Sequence, residues 1–157
     1  MTVVALRPVR PGDEELLFRV YASAREDELT VVPWDEAQKE AFLRAQFDAQ
    51  TRWYREHYDG ASFDVILVDG EPAGRLYVYR GKAEIRVVDI ALLPDRRGAG
   101  VGGSLLRDLL AEADAAGRRV TIHVERLNPA LRLYERLGFT VAEDKGIFLL
   151  LERRPAT

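Results

Sequence analysis

Cysteine is absent from this chain of 157 residues. Its absence excludes disulfide bonds, thiolate metal ligands and a covalent acyl-cysteine intermediate, and it fits a cytoplasmic protein. The two histidines, His57 and His123, have no partners at the spacing of metal ligands, so we expect no structural metal site. Every apolar run is shorter than the roughly 20 residues that cross a bilayer, and the N-terminal run is too short for a signal peptide. We therefore expect no membrane partner.

The chain also lacks an excess of positive charge. Its 23 Lys and Arg residues are outnumbered by 26 Asp and Glu residues, which gives a formal net charge of −3. No global field therefore favours nucleic acid, and we predict no nucleic-acid partner. No repeat, low-complexity tract or linker divides the sequence, so a single domain over residues 1–157 is expected.

The apolar periodicity and the turn residues predict the element order β-α-α-β-β-β-α-β-α-β-β, a mixed α/β fold. A first strand covers residues 3–7. Asp13 is expected to cap a helix that runs to about Ala24. Asp35 is expected to begin a longer helix, and Gln38 three residues on completes the pattern of a capping box.

Two apolar stripes run along this longer helix, which predicts that it is covered on both faces. One stripe comprises Phe42, Ala45, Ala49 and Trp53, and the other Leu43, Phe47, Tyr54 and Tyr58.

The rest of the chain alternates strands and helices. Residues 63–68 and 74–79 form a predicted hairpin, and the nearly continuous apolar run 84–93 predicts a central strand buried on both faces. A helix follows whose core face comprises Leu105, Leu106, Leu109, Leu110 and Ala113. After a strand over 120–124, Asn128 is expected to cap a short helix that has Pro129 at its first position. The chain closes with a hairpin of residues 139–141 and 147–151 around Lys145 and Gly146.

Four glycines lie in the segment Gly98–Gly103, between the long strand and the next helix, directly after Arg96 and Arg97. A helix N-terminus carries unpaired N–H groups and partial positive charge, and glycines allow a phosphate to approach these groups closely. A tight turn alone would need about one glycine. The segment therefore predicts an anion-binding loop.

A dinucleotide-binding fold is the competing interpretation of this loop. Gly98, Gly100 and Gly103 match G-x-G-x-x-G, and Glu125 lies at the end of the next strand. That fold needs several further strand-helix units, whereas residues 126–157 have room for one helix and a hairpin. No lysine followed by serine or threonine is present in the loop, which excludes a P-loop.

Two motifs in the chain resemble those of the GNAT superfamily of N-acetyltransferases. Arg97-x-x-Gly100-x-Gly102 matches Q/R-x-x-G-x-G/A, and the segment from Asn128 to Phe139 is similar to N-x-x-A-x-x-L-Y-x-x-x-G-F, with the usual alanine shifted. The resemblance covers about residues 63–151. It implies a central mixed sheet of about seven strands, flanked on both faces by about four helices.

The resemblance also implies that acetyl-CoA is the acyl donor and that no metal takes part. Its pyrophosphate would be held by the loop residues Arg97, Gly98, Ala99, Gly100, Val101, Gly102 and Gly103. The backbone of Ile90, Ala91 and Leu92 would pair with the pantetheine arm near a bulge that opens a cleft. The N–H of Leu92 is the expected donor to the acetyl carbonyl. Asn128 either contacts the CoA arm or serves only as a helix cap.

Tyr134 and His123 are the expected catalytic residues. In the resembling family the tyrosine at this place gives a proton to the leaving CoA thiolate, whereas most helical tyrosines only pack. His123 is a candidate base for the acceptor amine, with Asp89, Glu84, Glu125 or a water chain as alternatives. We expect His57 to be a surface residue of the long helix.

The expected activity is transfer of an acetyl group to a primary amine by direct attack in a ternary complex. A non-catalytic acyl-CoA-binding module is the alternative, and two copies could form a homodimer. Residues of the first two helices are candidates to shape a pocket for a cationic amine, or to form a solvated face over the core. They are Glu26, Asp27, Glu28, Trp34, Phe47, Trp53, Tyr54 and Tyr58.

Overall fold

A computed structural model describes residues 2–156. Its strands are β1 (Val4–Pro8), β2 (Ser62–Val68), β3 (Glu71–Arg80), β4 (Glu84–Leu92), β5 (Arg119–Glu125), β6 (Thr140–Lys145) and β7 (Phe148–Arg153). Its α-helices are α1 (Glu14–Ser23), α2 (Glu26–Leu29), α3 (Glu36–His57), α4 (Val101–Ala116) and α5 (Leu131–Arg136). Short 3₁₀ turns occupy Pro11–Asp13 and Pro94–Arg96.

The seven strands form one mixed sheet in the order β1-β2-β3-β4-β5-β7-β6. β4 and β5 run parallel, joined by α4, while β1 with β2, β5 with β7 and β6 with β7 pair antiparallel. The predicted mixed α/β fold is confirmed. Because β5 is followed by antiparallel partners, the strand-helix-strand unit around α4 is not extended as a dinucleotide-binding fold would require.

The helices number five in the described chain, one more than the four expected. The extra helix, α2, is a single turn with three acidic residues in that turn, Glu26, Asp27 and Glu28. Acidic side chains are favourable beside the N–H groups of a helix start, which explains how so short a helix forms.

The residues divide into two compact units. One comprises the chain up to Leu76 together with Ala91–Arg97, and the other comprises Tyr77–Ile90 and the chain from Gly98 onward. The first unit packs α1, α2 and α3 through a buried cluster of Leu17, Phe18, Tyr21, Leu29, Leu43 and Phe47. In the second unit the predicted core face of α4 is buried, as are Val120, Ile122 and Val124 of β5.

Helix α3 has one buried stripe and one exposed stripe, so the prediction that both faces are covered is wrong for the described residues. Leu43 and Phe47 are buried, whereas Phe42 and Trp53 remain 38% and 48% exposed. The aromatic rings of the exposed side pair locally instead, Trp34 against Phe42 and Trp53 against His57.

The cap of α3 is as predicted, and the cap of α1 is not. Asp35 accepts from the N–H of Gln38, and the Gln38 side chain accepts from the N–H of Asp35. Asp13 gives no side-chain cap to α1. Its carboxylate instead takes two hydrogen bonds from the Arg7 guanidinium at 2.8 Å and one from the N–H of Arg10 at 2.7 Å. A nearby arginine thus outcompetes the helix for this carboxylate.

Strand β6 forms one edge of the sheet, and all six of its residues are exposed. A register shift between Val141 and Glu143 interrupts its ladder with β7. The predicted hairpin around Gly146 is confirmed, although both strands extend further than expected, β6 to Lys145 and β7 to Arg153.

Candidate functional site

The first turn of α4 carries the glycine loop. Gly100 caps the helix with φ 82°, and Gly98 has φ 78°, a left-handed conformation that glycine adopts without strain. The first bond of the helix runs from the N–H of Ser104 to the carbonyl of Gly100, and no side chain caps this end. The N–H groups of Val101, Gly102 and Gly103 therefore precede the helical ladder.

The space in front of this turn is open. A Cβ atom placed on Gly98, Gly100 or Gly102 would meet no heavy atom within 4 Å. At Gly103 it would lie 3.5 Å from the Arg107 guanidinium, which folds back over the same turn. Unpaired N–H groups, the positive helix end and an open approach together make this turn suited to an anion.

Arg97 lies directly before the loop, and its side chain contacts residues of its own compact unit. Its Nε donates to the carbonyl of Leu92 at 3.0 Å, and its Nη2 lies 3.5 Å from Oγ of Ser23. The arginine thereby holds the end of β4 near the end of α1. Its predicted role toward pyrophosphate is therefore accompanied by a structural one.

The end of β4 leaves the N–H of Leu92 directed away from β3. Leu93 donates to the carbonyl of Ala73 at 2.8 Å, and neighbouring N–H groups in a strand point to opposite sides. Gly74 is required here, because a Cβ atom at this position would overlap the carbonyl oxygen of Ala91 and lie 2.9 Å from Cα of Leu92. Gly74 belongs to no sequence motif, and the close approach of two strands alone explains the need for glycine there.

The parallel ladder between β4 and β5 is short. It runs from Glu84 opposite Arg119 to Val87 opposite Ile122, while both strands continue beyond it. The predicted central position of β4 is confirmed, since it is the fourth of seven strands, but its predicted burial on both faces is wrong from Val88 onward, where the residues are only half-buried. A cleft between β4 and β5 requires that their pairing ends before the strands do, and the pairing ends at Val87. The predicted bulge stays a prediction.

Tyr134 lies on α5 and is 4% exposed. Its ring packs edge-on against Phe139, with ring centroids 5.8 Å apart. Burial, and secondarily the negative charge of Asp89, raises the pKa of Tyr134 to about 12. The phenol is thus a protonated donor at neutral pH, near a carboxylate on β4.

Asn128 forms a turn ahead of α5. Its Oδ1 accepts from the N–H of Ala130 at 2.8 Å and its carbonyl from the N–H of Leu131. The prediction that the helix begins at Pro129 is wrong, because α5 begins at Leu131 with Ala130 as its cap. The Asn128 side chain still satisfies a backbone donor two residues on, through its Oδ1 atom.

His123 lies on the exposed face of β5, between two cationic side chains. Nη1 of Arg86 lies 3.2 Å from its Nδ1, and Nζ of Lys145 lies 3.1 Å from its Nε2. Partial burial, followed by the charges of Arg86 and Lys145, lowers the pKa of His123 below its ordinary value of 6.5, against the opposing effect of Glu143 and Glu84. The imidazole is thus neutral at pH 7.

The alternative bases lie in different surroundings. Glu84 is part of an ion-pair network, in which it accepts from Oγ1 of Thr121 at 2.8 Å and lies within 4 Å of Arg86 and Arg119. Glu125 is exposed at the end of β5. Asp89 is half-buried on β4, and its charge contributes to the raised pKa of Tyr134.

Two cavities lie in the first unit, of about 420 and 390 Å³. Both are lined by Phe18, Ala22 and Glu26; the larger also reaches Leu93 and Pro94 after β4. Of the three acidic residues predicted to shape an acceptor pocket, Glu26 lines these cavities. His57 stacks on Trp53 with ring centroids 4.1 Å apart and lies on the surface, as expected.

Residues 2–156 contain no cluster of three acidic or histidine side chains that could hold a metal. Nor does any helix in that range have the length and apolar character needed to cross a membrane.

The profile of the Acetyltransferase (GNAT) family matches residues 21–139. Mycothiol acetyltransferase of Thermobifida fusca (strain YX) is 37% identical over 98 residues, which are 61% of this chain and 26% of that protein. The mycothiol acetyltransferase of Corynebacterium glutamicum (strain R) is 36% identical over 100 residues, 61% of this chain and 32% of its own length. The match thus spans about a quarter to a third of the length of these relatives.

Solved structures share the fold. The PaiA N-acetyltransferase of Thermoplasma acidophilum, determined in complex with coenzyme A, has a TM-score of 0.72 at 16% identity, covering 97% of this chain and 99% of that one. An acetyltransferase from Thermus thermophilus has a TM-score of 0.68 at 26% identity, covering 98% and 97%.

Proposed function

Since this chain belongs to the acetyltransferase (GNAT) family, we propose that it transfers an acetyl group from acetyl-CoA to a primary amine of a small molecule, peptide or protein. The observation that carries the proposal is the start of α4, an uncapped helix end with open space in front of its glycines. Such a turn accepts the pyrophosphate of CoA on backbone N–H groups. Without cysteine, the amine must attack the thioester directly in a ternary complex.

The residues proposed to bind acetyl-CoA have separate tasks. The segment Gly98–Gly103, with Arg97 before it, holds the pyrophosphate. Ile90, Ala91 and Leu92 pair with the pantetheine arm through the backbone, and the NH₂ of Asn128 donates to the same arm. Support comes from Leu93, whose N–H donates to the carbonyl of Ala73, because the alternation of N–H groups along a strand then directs the N–H of Leu92 away from β3.

Acetyl-CoA supplies an acetyl group activated as a thioester. The N–H of Leu92 donates to the acetyl oxygen, on which negative charge grows during attack, and a preorganised donor at that point lowers the barrier. Tyr134 donates its proton to the sulfur as CoA leaves. Its high pKa, about 12, keeps the phenol protonated until a thiolate develops beside it.

We propose His123 as the base that takes the proton of the acceptor ammonium. A neutral imidazole has one lone pair, and Arg86 and Lys145 approach the two ring nitrogens as donors. Arg86 is held in place by a 2.7 Å bond from its Nε to Thr121, whereas Lys145 is a flexible side chain at a hairpin. The base becomes available when the acceptor displaces Lys145 from Nε2. Asp89 is the second candidate.

The test combines binding and turnover. Calorimetry with acetyl-CoA, CoA and NAD measures the donor site, and a panel of amines is then assayed by release of free CoA thiol. We expect tight binding of acetyl-CoA but not of NAD, and thiol release with at least one amine. If wild type and Tyr134→Phe bind acetyl-CoA with the same affinity, and no amine of the panel causes release of free thiol, the chain is a binding module.

The homodimer also stays a prediction, which light scattering on the same preparation tests.

A further inference from the structure

The amine of Lys145 occupies an unusual position on the second unit. Lys145 is the last residue of β6, and its Nζ lies 3.1 Å from Nε2 of His123 on β5. Because β7 lies between β5 and β6, the lysine side chain crosses a whole strand to reach the imidazole. It remains 42% exposed along the way.

An ordinary ion pair does not account for this placement. The carboxylate of Glu143 lies 4.0 Å from Nζ, farther than the imidazole nitrogen. The other ring nitrogen already faces the Arg86 guanidinium at 3.2 Å, so a second cation adds repulsion there. Lys145 therefore lies where the proposed base would receive a substrate ammonium, and it is itself a primary alkylamine.

We propose that Lys145 is a self-acetylation site, whose ε-amino group takes the place of the acceptor amine in the acetyl-CoA-loaded protein. This inference rests on the proposed acetyl transfer and on His123 as base. In this proposal the ε-amino group of Lys145 is a modification site on the protein surface, and it also fills the position of the acceptor amine.

The reaction balances without a further reagent. His123 takes one proton from the Lys145 ammonium, and the neutral amine forms a bond to the acetyl carbon. The carbon–sulfur bond of acetyl-CoA then breaks, and the nitrogen releases its second proton to solvent. Tyr134 donates the proton that the thiolate needs, and the imidazolium proton passes through solvent back to the phenolate. The products are Nε-acetyl-Lys145 and free CoA.

Composition makes this site easy to isolate. Of the 23 Lys and Arg residues, three are lysines, namely Lys39, Lys82 and Lys145. Lys39 lies on α3, and Lys82 lies exposed in the turn between β3 and β4. Both report the background rate of uncatalysed acetylation in the same sample, because neither has a hydrogen bond to histidine among the contacts described.

The experiment follows incorporation of a ¹³C-labelled acetyl group from acetyl-CoA into the purified chain. Intact mass before mixing gives the starting modification, and peptides from a glutamate-specific protease separate the three lysines. General acid–base assistance predicts that Lys145 is labelled about 10²-fold faster than Lys39 and Lys82. The rate should not change when the protein is diluted, because the reaction is intramolecular.

Matched variants separate catalysis from simple reactivity. Lys145→Arg keeps the charge and should remove the fast label, whereas Lys82→Arg should leave it unchanged. Tyr134→Phe and His123→Gln should slow Lys145 labelling without affecting Lys39 and Lys82. Equal labelling of all three lysines, or a Lys145 rate that survives Tyr134→Phe, would overturn the inference.

Calorimetry on the same preparation distinguishes the two levels of proposal. Tight acetyl-CoA binding and thiol release with an added amine, but no preferential label on Lys145, would overturn self-acetylation and leave the proposed function standing. Failure to bind acetyl-CoA at all would overturn the proposed function itself.

Discussion

Nη1 of Arg86 lies 3.2 Å from Nδ1 of His123, and the same guanidinium donates through Nε to the hydroxyl of Thr121 at 2.7 Å. Arginine and an ammonium group both only donate, so Arg86 at Nδ1 and Lys145 at Nε2 compete for the single lone pair of the neutral ring, and action of His123 as a base at Nε2 requires the ring proton to lie on Nδ1. Arg86 therefore influences both the tautomer and the charge of the proposed base.

The first prediction concerns this pair. The positive charge of Arg86 lowers the pKa of His123, so Arg86→Gln should raise it. A base works only when it is deprotonated, so kcat/KM should decrease as the pH drops through the pKa of His123. In the wild type this decrease should have its midpoint below pH 6.5, and in Arg86→Gln the midpoint should move to higher pH. NMR titration of the His123 imidazole measures the shift directly. The matched control is Arg154→Gln, whose arginine side chain is 84% exposed, pairs weakly with Glu152 and has no contact with the imidazole. An identical His123 titration in both variants would contradict the assignment.

The second prediction concerns the glycine loop. Gly102 lies within helix α4 without positive φ, and a Cβ atom there meets nothing within 4 Å, so larger residues are expected to fold. Gly102→Glu places a carboxylate at the positive helix end, which leaves stability unchanged or slightly higher, but it repels pyrophosphate. Acetyl-CoA affinity should drop roughly 10-fold or more, while the unfolding temperature does not fall.

Gly102→Gln is the control for size without charge. Calorimetry measures the acetyl-CoA affinity of both variants, and thermal unfolding measures their stability. Equal acetyl-CoA affinities of Gly102→Glu and Gly102→Gln would show that pyrophosphate does not bind at this turn.

The third prediction concerns Tyr134. Tyr134→Phe keeps the edge-on packing against Phe139 and removes only the hydroxyl, so kcat should fall roughly 10²-fold while the Kd for acetyl-CoA stays within a few-fold. Because an acid must be protonated and the pKa of Tyr134 is about 12, wild-type activity should show no loss from this residue up to about pH 10. Asp89→Asn removes a charge that raises this pKa, so it should lower the pKa of Tyr134. Retained kcat with weakened binding would make the tyrosine a binding residue.

The fourth prediction concerns the close approach of two strands. Gly74→Ala puts a Cβ atom into the carbonyl oxygen of Ala91 and 2.9 Å from Cα of Leu92, so the strands must separate. We expect a loss of about 3 kcal/mol in the free energy of unfolding, measured by urea denaturation. Gly12→Ala, where the Cβ atom meets nothing within 4 Å, should change stability little. A Gly74→Ala variant as stable as wild type would show that the end of β4 yields without cost.

Periodicity and turn chemistry were enough to predict the mixed fold, the core face of α4 and the capping box at Asp35, because these depend on residues close together in sequence. Asp13 was misassigned because its competitor, Arg7, comes from the preceding strand, and residue spacing does not reveal which donor a carboxylate chooses. The exposed side of α3 was misassigned because apolar character alone does not say what covers a helix face.

For the candidate site, the glycine loop was visible in sequence, whereas the surroundings of its side chains were not. The contacts of Arg86 and Lys145 with His123 join three strands and follow from sheet order, which a single sequence does not reveal. The need for glycine at position 74 has the same origin. Long-range pairing, rather than local pattern, decides these features.

The open edge of β6 has a consequence for how the protein behaves when concentrated. An exposed edge strand offers unpaired backbone groups to which a strand of another molecule can add, the first step of sheet aggregation. Here the register shift at Val141 and Glu143 and the charges of Asp144 and Lys145 oppose such addition. The register shift and the charges of this strand thus oppose aggregation of the protein. Substitutions that restored a regular ladder or removed these charges would make aggregation easier.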